Sequence, residues 1–245
     1  MDNDKVPNMF PSAGFGQETA LMTASQERKM ARLLSGDTIS KIEEYFLKVQ
    51  YLMSCYRCAI LEVETKFKVL NEQFSLMHER NPIESITSRL KSPDSIFEKL
   101  RRKKLPAEIS SIENELYDVA GVRVICSFVD DIYMLADCLL QQDDIKLIRR
   151  KDYIENPKEN GYRSLHLIVE IPIFLQNEKK FMKVEVQLRT IAMECWANLE
   201  HKLRYKKNLS EEKAALTAAE LTKCAEMSAE LDRKMQNVRD LIYSE

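Results

Sequence analysis

Residues 182–189 of the segment FMKVEVQLRT alternate strictly between apolar and polar side chains. Such alternation is typical of a β-strand with one buried face. The apolar face holds Met182, Val184, Val186 and Leu188. The polar face holds an ammonium, a carboxylate, an amide and a guanidinium, on Lys183, Glu185, Gln187 and Arg189. A carboxylate in the middle of such a face needs solvent, a partner or a metal ion, so this strand predicts both a sheet and a candidate site.

Other segments predict the rest of the sheet. SLHLIVEIPIF alternates in the same way, and YDVAGVRVICSFV has the β-branched density of a buried strand. Strands are expected at 83–91, 117–129, 145–150, 164–174 and 181–190. Helices are expected at 92–104 and 130–142, and over a segment that carries Ala192, Trp196, Leu199 and Leu203. The order β-α-β-α-β-β-β with flanking helices predicts an α+β fold on a mixed sheet of about five strands.

Two long helices flank this core. From Thr38 to Met77 apolar residues recur at steps of three and four, and Asn81-Pro82 is expected to end that helix. A last helix begins near Ser210 and carries a heptad row of Leu221, Cys224, Ser228, Leu231, Met235, Val238 and Ile242. The row fits a contact between copies of the chain as well as docking on its own domain. We therefore expect a flexible tail over 1–36, a central domain over 37–209 and a C-terminal helix over 210–245 that serves oligomerisation.

Composition narrows the functional classes. Lys and Arg number 37 against 39 Asp and Glu, and a net charge of −2 is unlike that of a general nucleic-acid coat. No apolar run reaches the roughly 20 residues of a membrane span, and the N-terminus lacks the features of a signal peptide. The six cysteines are then expected to be reduced, and the location cytoplasmic. Cys55 and Cys58 form a lone C-x-x-C, which fits one helix better than a zinc site.

Two basic segments could bind phosphates. SRLKSPDSIFEKLRRKK at 88–104 has seven cationic side chains against two carboxylates, and Ser92 and Ser95 lie near the free N–H groups of its helix. RRKDYIENPKENGYRSLH at 149–166 is a basic loop in which Tyr162 could stack on a base. Taken alone, the first segment is better explained as a solvated charged helix, and a surface hairpin loop is the other interpretation of the second.

Two carboxylates, Asp118 and Glu185, complete the pattern. Mg²⁺ is typically held by one or two carboxylates together with substrate phosphates. A salt-bridged sheet surface is the other interpretation of Glu185. The sequence has no G-x-x-x-x-G-K-[ST] motif and no nucleophile elbow. The combination of phosphate binders, a stackable aromatic ring and two carboxylates predicts phosphoryl-type transfer between nucleotides.

Four motifs resemble the synthetase domain of the RelA/SpoT alarmone enzymes. They are SRLKS at 88–92, DVAGVRV at 118–124, KDYIENPKENGYRSLH at 151–166, and VEVQLRT followed by AMECWANLEHKLRYK at 184–206. The resemblance covers roughly residues 40 to 240, and the length is similar to that of the small alarmone synthetases. It implies a nucleotidyltransferase-like fold. No His-Asp dipeptide occurs in the sequence, so the hydrolase activity of the family is not expected.

The resemblance implies a reaction and a role for each matching residue. The family transfers the β,γ-pyrophosphate of ATP to the ribose 3′-hydroxyl of GDP or GTP, which yields AMP and (p)ppGpp for the stringent response. Glu185 matches the catalytic carboxylate, and Asp118 with Glu185 matches the Mg²⁺ ligands. The ATP side is matched by Arg89, Lys91, Ser95, Lys99, Arg102 and Arg123. The GDP/GTP side is matched by Lys151, Lys158, Tyr162, His166 and Gln187.

The resemblance also implies partners and leaves alternatives open. Small members are commonly homotetramers, and regulation by alarmone or single-stranded RNA stays open. Lys66 and Lys68 match a regulatory site, but Glu64, Asn71 and Ser85 do not. One alternative is a toxic relative that pyrophosphorylates the 3′ end of tRNA, and another is a nucleotide- or RNA-binding module without turnover. The choice of acceptor among GMP, GDP and GTP also stays open.

Overall fold

The computed structural model of the protein describes residues 36–77, 81–204 and 210–244. The expected tail therefore lies, apart from Gly36, outside the described residues. The chain divides into two units, Met1–Leu47 and Lys48–Glu245. Of the first unit only the beginning of one helix is described, and the sheet and the candidate site belong to the second.

The described residues form six helices and five strands, and the predicted α+β class is confirmed. The helices are α1 (Gly36–Met77), α2 (Pro93–Arg102), α3 (Ile109–Glu115), α4 (Val129–Leu140), α5 (Ile191–Arg204) and α6 (Glu211–Tyr243). The strands are β1 (Ile83–Leu90), β2 (Ala120–Cys126), β3 (Lys146–Asp152), β4 (Leu165–Phe174) and β5 (Lys179–Thr190). The short helix α3 is the one element that the sequence patterns did not predict.

The five strands form one mixed sheet in the order β1-β2-β5-β4-β3. The pair β2–β5 is parallel, and the other three pairs are antiparallel. The alternation in β5 has the predicted effect: Met182, Val184, Val186 and Leu188 are at most 2% exposed. Seven residues of the α1 stripe are buried too: Val49, Leu52, Tyr56, Ile60, Val63, Phe67 and Leu70. From Leu52 onwards these α1 residues share one core cluster with the apolar face of the sheet.

Helix α2 begins where the sequence predicted. Ser92 is its N-cap and accepts a hydrogen bond from the backbone N–H of Ser95, and Pro93 occupies the first turn. Ile96 and Leu100 are buried on its inner side. The cap and these two anchors fix the helix beside the end of β1, so its cationic side chains lie next to the polar face of the sheet.

Helix α6 follows the heptad prediction only in part. Its buried residues are Leu221, Ala225 and Asp232, which lie on one face at helical spacing. Four members of the predicted row remain exposed by 48% or more: Leu231, Met235, Val238 and Ile242. The first half of the helix therefore docks on its own domain, and the later part of the row lies outside that contact.

Candidate active site

Strand register brings the predicted residues into two neighbouring rows on the polar face of the sheet. One row crosses all five strands as Thr87, Arg123, Gln187, His166 and Lys151. The next row runs through Arg89, Gly121, Glu185, Ile168 and Arg149. Residues two apart on a strand share a face, which explains how motifs separated by up to a hundred residues converge.

Asp118 lies just before β2 and is held by two ammonium groups. The Nζ atoms of Lys91 and Lys99 each lie 2.6 Å from its Oδ2 atom. Burial alone would raise the pKa of Asp118, but the hydrogen bonds from both lysines outweigh it and hold the pKa below its ordinary value. Its other oxygen, Oδ1, is buried and has no hydrogen-bond partner among the described residues. An anionic oxygen without a partner at this position is a suitable cation ligand.

Glu185 lies in the middle of β5 and is held from two sides. The amide of Gln187 donates to Glu185 Oε2 at 3.0 Å, and His166 Nδ1 lies 3.4 Å from Oε1. Burial raises the pKa of Glu185, but the contacts with His166 and Gln187 outweigh it, so the pKa lies below its ordinary value. The carboxylate is therefore ionised at neutral pH and can accept a proton.

Three cavities open onto this face. The β1 cavity, about 200 Å³, is lined by Arg89, Lys91, Gly121, Arg123 and Gln187 among others. The α2 cavity, about 510 Å³, is lined by Arg89, Lys91, Ser95, Glu98, Lys99, Arg101 and Arg102. The β3 cavity, about 340 Å³, is lined by Lys99, Arg149, Lys151, Tyr153, Lys158 and His166 among others. Asp118 and Glu185 line both the β1 and the β3 cavity, so the two carboxylates lie where these cavities meet.

Part of the space in the β1 cavity exists because residue 121 is a glycine and has no side chain. Gly121 lies between Arg89 and Glu185 in their shared row. A Cβ atom at this position would come no closer than 3.8 Å to any neighbour, which is an ordinary contact. The fold would therefore accept a side chain here, but the side chain would project into the space between the guanidinium and the carboxylate.

Aromatic rings surround the β3–β4 loop, residues 153–164. Tyr153, Tyr162 and His166 meet edge to face, with ring centroids 5.2–5.9 Å apart. The Lys158 ammonium lies 4.7 Å from the Tyr153 centroid and 4.5 Å from that of Tyr162. The loop thus presents a cation against two ring faces at the edge of the β3 cavity.

Comparison with known proteins identifies the family. The family described as the region found in RelA / SpoT proteins matches residues 88–210. GTP pyrophosphokinase YwaC of Bacillus subtilis is 44% identical over 184 residues, which cover 75% of this chain and 87% of that protein. The chain belongs to the RelA/SpoT family.

Solved structures agree with this assignment. Small alarmone synthetase 1 from Bacillus subtilis, in a crystal structure bound to its product pppGpp, has a TM-score of 0.72 and 35% identity. That match covers 80% of this chain and 99% of that one. The same synthetase bound to AMPCPP has a TM-score of 0.66 and 34% identity, over 80% of this chain and 97% of that one. The predicted fold is thus the fold of the RelA/SpoT small alarmone synthetases.

The site residues expected from the RelA/SpoT resemblance all lie in or beside the three cavities. Gln187, expected on the GDP/GTP side, lines the β1 cavity together with Arg123. Lys99, expected on the ATP side, lines both the α2 and the β3 cavity. Tyr162 lies beside the β3 cavity, because it contacts Lys158 and His166, which line that cavity. The role of each residue stays a prediction.

Sequence reasoning missed the residue that organises the polar face. Arg189 was assigned to the exposed row of β5, but it is only 4% exposed. Its guanidinium donates to Gln187 Oε1 at 3.1 Å and, through a short hydrogen bond, to the hydroxyl of Tyr162. Glu194 on α5 holds it at 2.7 Å and also accepts from Arg123 at 2.9 Å. A buried arginine needs such a partner, but strand periodicity carries no signal for it.

Arg189 begins two hydrogen-bond chains that end at Glu185. Since Arg189 and Arg123 both donate to the carbonyl oxygen of Gln187, the amide N–H₂ of Gln187 must face Glu185. Since Arg189 also donates to the Tyr162 oxygen, the Tyr162 hydroxyl is free to donate to His166 Nε2, 2.8 Å away. A neutral His166 then carries its proton on Nδ1, which faces Glu185.

Other residues that line the β3 cavity had no individual role predicted from the sequence. They include Lys103, Tyr153 and Arg149, the last of which begins the basic segment 149–166. Lys103 is part of the basic run after α2, which could have been assigned from charge alone. Lys66, considered for a regulatory site, pairs with Asp144 at 2.7 Å.

Both expected Mg²⁺ ligands fit the ion chemically. Carboxylate oxygens are the ligands that Mg²⁺ prefers, and two of them with substrate phosphates make a usual site. The unpartnered buried oxygen of Asp118 supports this assignment. The described residues contain no group of three or more His, Cys, Asp or Glu side chains that could bind a metal ion. Mg²⁺ held by two carboxylates would take its other ligands from substrate phosphates and water.

None of the helices in the described part of the chain has an apolar stretch long enough to cross a bilayer.

Proposed function

We propose that the protein transfers the β,γ-pyrophosphate of ATP to the ribose 3′-hydroxyl of GDP or GTP, and so makes AMP and (p)ppGpp. The observation that carries this function is the position of Asp118 and Glu185, which line the β1 and β3 cavities at once. A reaction between two nucleotides needs two sites with the reacting groups at their junction. The fold and the family match support the same conclusion.

The donor nucleotide occupies the β1 and α2 cavities. Six cationic or hydroxyl side chains line the α2 cavity alone, and the N-terminus of α2 offers free N–H groups beside Ser95. A polyphosphate is held by such groups through charge-assisted hydrogen bonds. The predicted ATP ligands Arg89, Lys91, Lys99 and Arg102 therefore act mainly on its phosphates and base, and position the chain of phosphates towards Asp118.

The acceptor occupies the β3 cavity, with its guanine beside Tyr162 and its phosphates beside Lys151 and Lys158. Glu185 accepts the proton of the 3′-hydroxyl as the hydroxyl oxygen bonds to the β-phosphorus. The bond between that phosphorus and the oxygen bridging to the α-phosphorus breaks, and AMP leaves with the electron pair. His166 and Gln187 hold Glu185 ionised and oriented for this step.

Asp118 and Glu185 would hold Mg²⁺, which neutralises charge on the transferred phosphates. Each ammonium that now contacts Asp118 is a ligand for phosphate oxygens once the carboxylate has another cation. Lys91 and Lys99 could thus contact either Asp118 or the phosphates of a bound nucleotide.

Two further expectations form part of the proposal. The exposed apolar row of α6, with Leu199 and Leu203 on α5 also exposed, supports a homotetramer, and size-exclusion chromatography with light scattering tests it. A cytoplasmic location fits an enzyme whose substrates are nucleotides.

The decisive experiment incubates the purified protein with Mg²⁺, γ-labelled ATP and, separately, GMP, GDP, GTP and deacylated tRNA. Label in guanosine tetra- or pentaphosphate, with equal release of AMP, is the expected result, and the rates rank the acceptors. Label on tRNA alone would assign the chain to the toxic branch. Binding of nucleotides without transfer to any acceptor would mean a sensor instead of an enzyme.

A further inference from the structure

Helix α6 packs directly behind the loop that carries Lys158 and Tyr162. We infer that α6 is a structural part of the acceptor pocket, and that the Arg163–Asp232 ion pair is the positioning contact that sets affinity for the acceptor nucleotide. This inference rests on the proposed function, because it assigns the β3 cavity to the acceptor. Three separate contacts between loop and helix support it.

The first contact is a close approach of backbones at Gly161. This residue has φ +85°, a conformation that side chains other than glycine rarely adopt. A Cβ atom built on it would lie 2.4 Å from the Cβ of Ala225, closer than real atoms come. Helix and loop therefore meet through the two smallest residue types, and neither can shift towards the other.

The second contact is the buried ion pair. Arg163 Nη1 donates to Asp232 Oδ2 at 2.9 Å, and the two side chains are 13% and 5% exposed. Arg163 directly follows Tyr162 in the chain. A buried pair costs strongly when one charge is removed, because the remaining ion has no solvent. The pair therefore fixes the distance between the α6 axis and the backbone of the stacking tyrosine.

The third contact is an apolar cluster of Trp196, Leu221 and Ala225, against which Tyr162 packs. Trp196 Nε1 donates to the backbone carbonyl of Leu221 at 2.9 Å. Tyr162 thus rests on a surface built jointly by α5 and α6, while its hydroxyl is held by Arg189 and His166.

Helix α6 is itself anchored at a distance from this contact. Near its C-terminus Arg239 makes a two-point contact with Asp130, at 2.7 and 2.6 Å. Its guanidinium also lies 4.7 Å from the ring centroid of Phe128. Because the helix is fixed at two places, it can act as a rigid support for the loop.

The test compares Asp232→Asn with Glu220→Gln, which removes an exposed carboxylate from the same helix. Asp232→Asn keeps the shape but removes the charge opposite Arg163. We expect the KM for GDP to rise about tenfold or more, with the KM for ATP and kcat at saturating GDP unchanged. Asp232→Glu should restore part of the loss, and Glu220→Gln should match the wild type. An equal rise in both KM values, or none, would overturn the inference.

A second pair of variants covers the case in which Asp232→Asn does not fold. Gly161→Ala should raise the KM for GDP, and adding Ala225→Gly should recover part of it, because the second change removes the collision but not the backbone strain. A double variant no better than Gly161→Ala would overturn the role of the helix.

Binding can be followed without turnover. Trp196 is the single tryptophan of the chain, so its fluorescence reports on the contact between α5, α6 and Tyr162. GDP should shift its emission in the wild type, and at higher concentration in Asp232→Asn. A wild type that makes no product but shows this shift would refute the proposed function and keep the inference. Unchanged Trp196 emission in an active enzyme would refute the inference alone.

Discussion

The two halves of the site are held in place by different forces. On the β1 side, Lys91 and Lys99 converge on Asp118 through charge, from a strand end and a short helix. On the β3 side, Tyr162 is held by ring contacts, hydrogen bonds and the packing of α5 and α6. A polyphosphate can be recognised by cations that move to meet it, but stacking on a base needs a ring of fixed orientation. The β3 side therefore depends on the rest of the fold, through α5 and α6, more than the β1 side does.

Replacing the group that both halves share should have the largest effect. Glu185→Gln keeps the shape of the site but removes the base and one of the two acceptor oxygens that Gln187 and His166 contact, so transfer should fall by about 10²–10⁴-fold while both nucleotides still bind. Product formation and equilibrium dialysis measure the two effects. Glu170→Gln, a carboxylate on the neighbouring strand that pairs only loosely with Lys146 at 3.8 Å, is the matched control. Turnover close to wild type in Glu185→Gln would remove Glu185 from the mechanism.

Replacing Tyr162 should affect the β3 side alone. Tyr162→Leu loses a stacking surface worth about 1–3 kcal/mol, so the KM for GDP should rise about 10- to 100-fold and that for ATP should stay constant. Tyr162→Phe keeps the ring but loses the hydroxyl between Arg189 and His166, and its effect should be smaller. Steady-state kinetics with each nucleotide varied in turn provides the measurement. If Phe is as damaging as Leu, the hydrogen bonds and not the ring determine acceptor binding.

A change on the β1 side should have two opposite effects. Lys99→Met removes one of the two cations on Asp118, so the nucleotide-free enzyme should bind Mn²⁺ about tenfold more tightly, while ATP binds more weakly. Electron paramagnetic resonance counts free Mn²⁺ directly. Lys104→Met, which removes a neighbouring charge with no contact to Asp118, should change neither value. Unaltered Mn²⁺ binding in Lys99→Met would show that the ammonium groups do not compete with the metal.

The smallest effect is a pH dependence of stability with opposite signs in the two halves. The pKa of Asp118 is lowered, so its contribution to stability is present above the unfolded-state pKa and is lost as the pH falls through the folded-state pKa. Burial raises the pKa of Asp232 despite its hydrogen bonds to Thr190 and Arg163, so ionising it opposes folding. Its contribution to stability therefore falls as the pH rises.

Urea unfolding between about pH 3 and 6 can separate these contributions. As the pH rises, the wild type should gain stability relative to Asp118→Asn and lose stability relative to Asp232→Asn. Slopes of the same sign for both variants would contradict the contrast between the two halves.

Sequence patterns predicted the sheet well because alternation and burial are local properties of a strand. They predicted Asp118, Glu185 and the basic segments as site residues because a charged side chain on a half-buried face needs solvent, a partner or a ligand. They failed for Arg189, whose burial depends on Glu194 from the following helix, a contact between elements. They also failed for the inner face of α6, where Ala225 and Asp232 are buried instead of Leu231 and Met235. Ala225 fits opposite Gly161 because it is small, and a hydrophobic pattern does not show that requirement.

At Gly121 the fold and the proposed reaction have different requirements. A side chain at this position would meet no neighbour closer than 3.8 Å, so the sheet would form with alanine or serine there. The same side chain would stand between Arg89 and Glu185, where the proposed mechanism places the transferred pyrophosphate. Natural variation at position 121 should therefore follow activity and not stability. A descendant that kept this architecture for another purpose, such as binding without turnover, would be free to lose its glycine first.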